Sequence, residues 1–554
     1  MIWFAGSILS GVIITALAVF SGRESDRRGD LSPRVWAVSM MLLAAGFAFL
    51  LFYRVSEIPV PFNVDEAGMA YDAKSLAAYR VDRYLYHFPV YLVNFGGGQS
   101  ALYAYLAAIL IRLFGYSVLI VRLPAVLLSL LSALVFSLTV REEHGNAASV
   151  TALAFFCILP FSLMHSRWGL DAYLLFPMLI LACAAFYQAV RTGKTWRFFL
   201  SGCLFGLTLY SYVISYMILP LFLAFCLLYL LWARRISLKN LLAMALPLLL
   251  TALPLLLMVA VNSGLIPEVH TRFFTIPKLN GFRSGEIGLI NVLNNLKFDG
   301  YNIFYEIFVN DHCRYNVNPK FGTLYYVSIP ILIYGIISRW QGSRKSQEDK
   351  LFSLDLMMFF LLAAGFCISM LVERPNVNRS CAVYIPLIYF LTMGTREILK
   401  KSRIAAAGAA LCFLVSFALF LNYYFNRFPK DLESDILFTS AEDLGRAMDF
   451  AETVYRDDET VYITGGSNPY IYTLLLTDTD PYTFNEKKIL SYDNYVKAFD
   501  KYRFRLDAVL TDCIYIFTHP GNIPEDFDSS KFLSRQFGPV IVYYPPAEQP
   551  GSSE

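Results

Sequence analysis

The sequence predicts an all-α polytopic membrane protein of about twelve transmembrane helices, followed by a small extracytoplasmic α/β domain. Three observations predict it. Of 554 residues, 56% are hydrophobic and only 16% charged, with a mean hydropathy of +0.50, whereas an average soluble domain carries roughly 25% charged residues. The apolar residues are gathered into runs near the length a spanning helix needs, about 20 residues. From Asn422 onward the composition becomes that of a soluble domain. Disorder, a soluble multidomain enzyme and nucleic-acid binding are disfavoured: 46 Lys+Arg against 43 Asp+Glu leave +3, too even for a polyanion partner.

The first run, Ile2–Phe20, has no basic residue before it and Arg23, Arg27 and Arg28 after it. A signal peptide has the reverse charge order, so this is read as a retained span with its N-terminus outside. Further spans are expected at Val35–Tyr53, Val118–Val140, Val150–His165, Ala172–Val190, Phe198–Val213, Tyr216–Trp232 and Leu241–Val261. Tyr325–Ile337, Leu351–Val372, Ala382–Met393 and Ile404–Leu421 complete the set. The run Ala101–Phe114 is decided by charge. The basic clusters Arg23–Arg34, Arg191–Arg197, Arg234–Lys239, Arg339–Lys350 and Arg396–Arg403 share one side, with Arg141, if that run does not cross. It is therefore expected to be an interfacial or half-buried helix of an outer loop. The result is a multi-pass plasma-membrane protein with both termini extracytoplasmic.

This layout divides the chain into a membrane domain, 1–421, with outer loops at 54–117 and 262–324, and an extracytoplasmic domain, 422–554. In the latter, Glu459–Thr464, Ala508–Phe517 and Val540–Tyr544 have strand character, Ser440–Val454 and Tyr492–Tyr502 helical character. The end from Pro545 is polar and expected to be disordered. Six of nine cysteines lie in apolar runs, and a Cys313–Cys513 bridge is not expected.

Chemistry is expected where charges sit at the outer boundary. Asp65-Glu66, in NVDEAGMAYDA, follows the second span. A partly desolvated carboxylate there gains basicity and can take a proton from an attacking hydroxyl; the competing reading is an Asp capping a helix N-terminus. Ser166–Tyr173 (SRWGLDAY) holds Arg167 and Asp171 at i, i+4, able to pair across a turn or to join Asp65 on one face of the membrane. Glu373–Ser380 (ERPNVNRS) carries Arg374 and Arg379 against the inner bias of basic residues. They suit an anionic head group, or equally lipid phosphates at the interface. Between the first two lies an aromatic-rich string with Gly96-Gly97-Gly98 and Gln99, allowing close backbone approach to a ligand or a tight turn. Tyrosines such as Tyr71 suit sugar faces and equally suit membrane interfaces. Asp478-Thr479-Asp480 resembles a metal-binding DxD but reads as a turn. Gly465-Gly466-Ser467 is at best a weak anion site, and His87, His165, His270 and His312 lack metal-like spacing.

Asp65-Glu66 in an early outer loop, then GGGQSALYAYLAAILIRLFGYSVLIVRLP, then SRWGLDA after two more spans, together resemble the polyprenyl-phosphate-dependent glycosyltransferases of the GT-C fold. The protein O-mannosyltransferase and aminoarabinose-transferase branch is the most similar. The resemblance covers the second to sixth spans, extends to later ones in layout, and does not reach the tail. It implies a catalytic aspartate at Asp65 with Glu66 as acidic neighbour, a second acidic position at Asp171, and Arg379 aimed at a lipid-linked phosphate. Arg374, Arg167, Tyr71 and Gln99 are further candidate substrate contacts. Many members use a divalent metal, so Mg or Mn on Asp65, Glu66 and Asp171 is left open. The implied reaction moves a sugar from a polyprenyl-phosphate donor to a hydroxyl of a glycan, lipid or protein, inverting the anomeric carbon. A transporter or lipid-linked-sugar flippase is the alternative. It should carry ionisable groups near the midplane, whereas these spans are nearly charge-free inside. In a third reading the outer tail is the working part of an interaction protein.

Overall fold

The computed structural model describes residues 2–20, 30–60, 62–95, 97–281, 288–297, 303–309, 315–316, 318–346, 351–433, 439–456, 459–466, 468–491, 495–506 and 509–546. Arg23, Arg27, Arg28, Gly96, His312, Cys313, Ser467, the last residues of the Arg339–Lys350 cluster and most of the end from Pro545 lie outside them. The chain forms two compact units.

The first unit comprises Met1–Tyr53, Leu123–Leu257 and Arg283–Tyr423. Every run read as a span contains helix here. Among the described residues, eight helices are long and apolar enough to cross a membrane: Pro33–Phe52, Val118–His144, Ala172–Thr192, Ser215–Trp232, Leu238–Asn262, Leu354–Leu371, Cys381–Lys401 and Arg403–Asn426. The protein is thus a multi-pass membrane protein. Local chemistry sets several boundaries. Pro33 at the first helical position follows Ser32, whose hydroxyl accepts from the Val35 amide. The expected span Val150–His165 is two helices, Asn146–Ile158 and Pro160–His165, parted at Leu159. Proline has no N–H and drives the residue before it out of the α region, and Leu159 is extended, with ψ 136°. The expected span Tyr325–Ile337 begins later and runs on, over Ser328–Ser346. It packs backbone to backbone on Tyr384–Lys401, because a Cβ on Gly335 would fall 2.0 Å from the Phe390 carbonyl. Small residues let membrane helices approach in this way.

The second unit comprises Arg54–Arg122, Met258–Phe282 and Tyr424–Glu554. Its first part is the helix Val64–Tyr79, a hairpin of Tyr91–Asn94 and Gly97–Ser100, and the helix Leu102–Phe114, which packs on Val64–Tyr79. The expected helix Ala101–Phe114 is thus present, one residue shorter. The tail folds as a seven-stranded sheet in the order Leu533–Phe537, Val540–Tyr544, Ile514–Phe517, Val461–Thr464, Tyr502–Arg503, Val496–Phe499, Lys488–Leu490. Val461–Thr464 runs parallel to both its neighbours and the other pairings are antiparallel. The expected helix Ser440–Val454 is present as Ala441–Val454, capped by Ser440. The expected helix Tyr492–Tyr502 is not. Its described part is the strand Val496–Phe499, then a turn at Asp500 (φ 53°) into Tyr502. Val496, Ala498, Phe499 and Tyr502 are buried there, so the sheet's need for apolar cover overrides helical spacing. Cys513, Tyr515, Phe517, Phe527 and Phe532 form the tail's aromatic core, and Cys513 is a free thiol.

Candidate active site

The Asp-Glu pair opens the helix Val64–Tyr79, and Asn63 is its cap, its side-chain oxygen accepting from the Glu66 amide at 2.8 Å. Asp65 therefore lies inside the first turn, where it is exposed and favoured by the helix dipole. Glu66 points the other way. Arg122 donates from Nε and Nη2 to its two oxygens, both at 2.7 Å, with both side chains fully buried. The remaining Arg122 donors go to the carbonyls of Val55 (2.7 Å), Ile58 (3.4 Å) and Val60 (2.7 Å). Breaking a buried pair by removing one partner costs about 3–5 kcal/mol, so this contact fixes the strap Val55–Val60 to the Asp65 helix. Arg122 was not singled out in the sequence, although an arginine within the apolar run VLIVRLP was the signal for it.

About two turns on, the same helix presents Asp72 to Arg83. Arg83 Nη2 lies 2.7 Å from Asp72 Oδ2 and Nε 3.0 Å from Oδ1, again with no exposure. Tyr71 is buried and donates its hydroxyl to the Thr479 carbonyl at 2.7 Å, and Lys74 pairs with Asp478. The tail helix Tyr470–Leu476 packs on Val64–Tyr79 and brings Tyr472, fully buried, beside Asp65 and Glu66. Burial first, and then those two carboxylates, push its hydroxyl above the usual tyrosine range. Gln99 is buried in the second hairpin strand, opposite Leu92. The DxD-like string is used structurally: Asp480 caps the helix Pro481–Lys487 by accepting from the amides of Tyr482 and Thr483.

The other expected site residues belong to the first unit. Arg167 is fully buried and donates to the carbonyls of Leu50, Leu51 (3.1 Å) and Tyr53 (2.7 Å), closing the C-terminal end of Pro33–Phe52. Asp171, 7% exposed, begins the helix Ala172–Thr192, its carboxylate accepting from the Ala172 amide at 2.9 Å. In Glu373–Ser380, Asn376 accepts from the amides of Asn378 (3.0 Å) and Arg379 (3.1 Å), while Arg379 Nη1 donates to the Glu373 carbonyl. Arg374, at φ 52°, is exposed, 3.6 Å from Glu373. Tyr173 donates to Asn316, which donates to Asn378 at 2.9 Å. Asn316 thereby joins the start of the Asp171 helix to the Arg379 loop.

The residues offered for a metal do not fit as a set, since both Glu66 oxygens are held by Arg122. Among the described residues, Glu143, His144 and Asp355 bring three potential ligand atoms together. That cluster already accepts from Tyr187, Tyr389 and the Leu354 amide and faces Arg339 at 3.3 Å.

Residues 99–262 match the family model described as dolichyl-phosphate-mannose-protein mannosyltransferase. Over that segment the chain is similar to a glycosyltransferase family. The matched segment contains Gln99, Arg122, Arg167 and Asp171, and leaves Asp65 and Arg379 outside. Among solved structures, the chain is similar to ArnT from Cupriavidus metallidurans bound to undecaprenyl phosphate, at 12% identity and a TM-score of 0.49, over 94% of this chain and 100% of that one. It is also similar to the oligosaccharyltransferase AglB from Archaeoglobus fulgidus in complex with an inhibitory peptide and a dolichol-phosphate, at 13% identity and a TM-score of 0.44, over 80% and 63% of the two chains. No curated protein matches the chain in sequence.

Proposed function

We propose that this enzyme moves a sugar from a polyprenyl-phosphate donor to an extracytoplasmic hydroxyl, with Asp65 as general base. The observation that carries the reading is the division of labour among three carboxylates on one helix. Glu66 and Asp72 are each locked to a buried arginine, while Asp65, on the same helix, is exposed. The description of the matched family, a dolichyl-phosphate-mannose transferase, supports the donor class. Asp65 takes the acceptor's hydroxyl proton as its oxygen bonds to the anomeric carbon from the face opposite the phosphate. The carbon–oxygen bond to phosphate breaks, and the electron pair leaves with the polyprenyl phosphate. Arg379, with Arg374, supplies positive charge for that leaving group, and Asp171 is the second acidic position. The acceptor is a glycan, lipid or protein at the outer face of the plasma membrane, where both termini lie. The membrane part, 1–421, carries the chemistry, and 422–554 covers the first outer loop. A transporter or flippase is not favoured.

The test is release of polyprenyl phosphate from a panel of polyprenyl-phosphate sugars, mannose included, comparing Asp65→Asn with wild type at equal membrane abundance. A general base contributes roughly 10²–10⁴-fold, so a loss of that order is expected. An unchanged rate refutes the base assignment, and a wild-type protein that turns over no member of the panel refutes the donor class.

A further inference from the structure

Asn94 ends the first strand of the hairpin beside the Asp65 helix and is 8% exposed. Its Nδ2 lies 3.3 Å from Asp65 Oδ1, and its Oδ1 accepts from Arg83 Nη2 at 3.1 Å. A guanidinium only donates, so Arg83 compels the amide to turn its oxygen inward and its NH2 toward Asp65. Arg83 in turn cannot rotate. Asp72 holds its Nε and Nη2 and also accepts from its backbone N–H at 2.9 Å, and the Tyr470 hydroxyl lies 3.5 Å from Nη1. Gly68, three residues after Asp65, makes the arrangement sterically possible. A Cβ there would fall 2.6 Å from Arg83 Nη2 and 2.8 Å from Asn94 Oδ1.

We propose that Asn94 is a positioning residue for the transfer reaction, its amide orienting the Asp65 carboxylate and itself oriented by the Arg83–Asp72 pair. The inference rests on Asp65 being the base. A first-turn carboxylate has several staggered rotamers, and one donor fixed from behind selects among them. A misplacement near 1 Å can cost about 10²-fold in rate. Aspartate at position 94 would satisfy Arg83 equally well but would face Asp65 with an acceptor and a like charge, so the chemistry of the site asks for an amide.

The full-length protein in lipid nanodiscs is assayed with whichever polyprenyl-phosphate sugar the wild type turns over best. Wild type, Asn94→Ala, Asp65→Asn and the double variant are compared. Asn94→Ala is expected to lower kcat by roughly 10- to 100-fold with the donor KM within about twofold, and to cause no further loss when Asp65 is already Asn. If Asn94→Ala lowers the residual rate of Asp65→Asn by the factor it costs the wild type, Asn94 acts elsewhere and the proposal is overturned. If Asp65→Asn itself keeps the wild-type rate, the base assignment falls, a visibly different result. Asn94→Asp guards against a folding artefact, because it keeps the shape and the acceptor for Arg83. It should fold and lose activity, and a wild-type rate from it overturns the proposal.

Discussion

Asp82 shows what the buried charges around the first outer loop demand. Its Oδ1 accepts from the amides of Tyr84 and Tyr86, both at 2.9 Å, while its Oδ2 is buried without a donor among the described residues. Burial, reinforced by the Asp72 carboxylate and opposed by those amides and Arg83, pushes its pKa up to about 7. Lys488 feels the same carboxylate from the tail side. The folded state therefore keeps a proton that the unfolded chain gives up near the ordinary carboxylate value. The stability so contributed is complete below about pH 4 and is lost as the pH rises through 7. Asp82→Asn keeps an acceptor for the two amides and removes the titration. Thermal unfolding in detergent should show its Tm advantage over wild type growing from pH 5 to pH 8, whereas a pH-independent difference would contradict this account.

At the scale of elements, the helix Leu289–Leu296 displays its apolar side chains outward, with Leu289 at 81% exposure and Ile290 at 68%. Asn291 and Asn295 face inward, while Asn294 is exposed. Asn291 donates to the Leu371 carbonyl (2.9 Å), and Asn295 to Met370 (2.9 Å) and Val372 (2.8 Å). These are the orphan acceptors at the C-terminal end of Leu354–Leu371, so the short helix is a polar stopper for a long one. Asn295→Leu takes the side-chain donor from the Met370 and Val372 carbonyls, at about 1–3 kcal/mol for a buried group. Hydrogen exchange in the last turn of Leu354–Leu371 is expected to accelerate while the middle of that helix stays protected. The long apolar helices were legible from runs of residues, because lipid leaves no other use for such runs. The Leu159–Pro160 break was written in the proline but hidden by the unbroken hydropathy around it. The role of Asn295 was not legible, since its partners lie about 75 residues away and asparagine has no periodicity.

For the whole molecule, sequence reading assigned the membrane class from a scarcity of charge and picked Asp65 from charge in an unusual place. It read Glu66 as Asp65's partner in chemistry, whereas the structure ties it to Arg122. It found no role for the tail, because every contact that gives it one is long-range. Tyr71 meets Thr479 across 408 positions, and Arg83 meets Tyr470 across 387. Truncation after Asn426 removes Tyr470, Tyr472 and the helix that covers Val64–Tyr79. Limited proteolysis of that variant should cut within Arg54–Arg122, and transfer should be lost. A protected loop with retained transfer would show that the tail is dispensable.

Those separations also set an order of events during synthesis. The helix bearing Asp65 leaves the ribosome early, yet the aromatic residues that seal Arg83 beneath it arrive only after nearly four hundred further residues have been made and most of the membrane helices inserted. Contacts of such high sequence separation form late. An interrupted polypeptide can thus fill the bilayer with well-formed helices and still lack the cover over the helix Val64–Tyr79. A segment translated late completes the surroundings of one translated long before it.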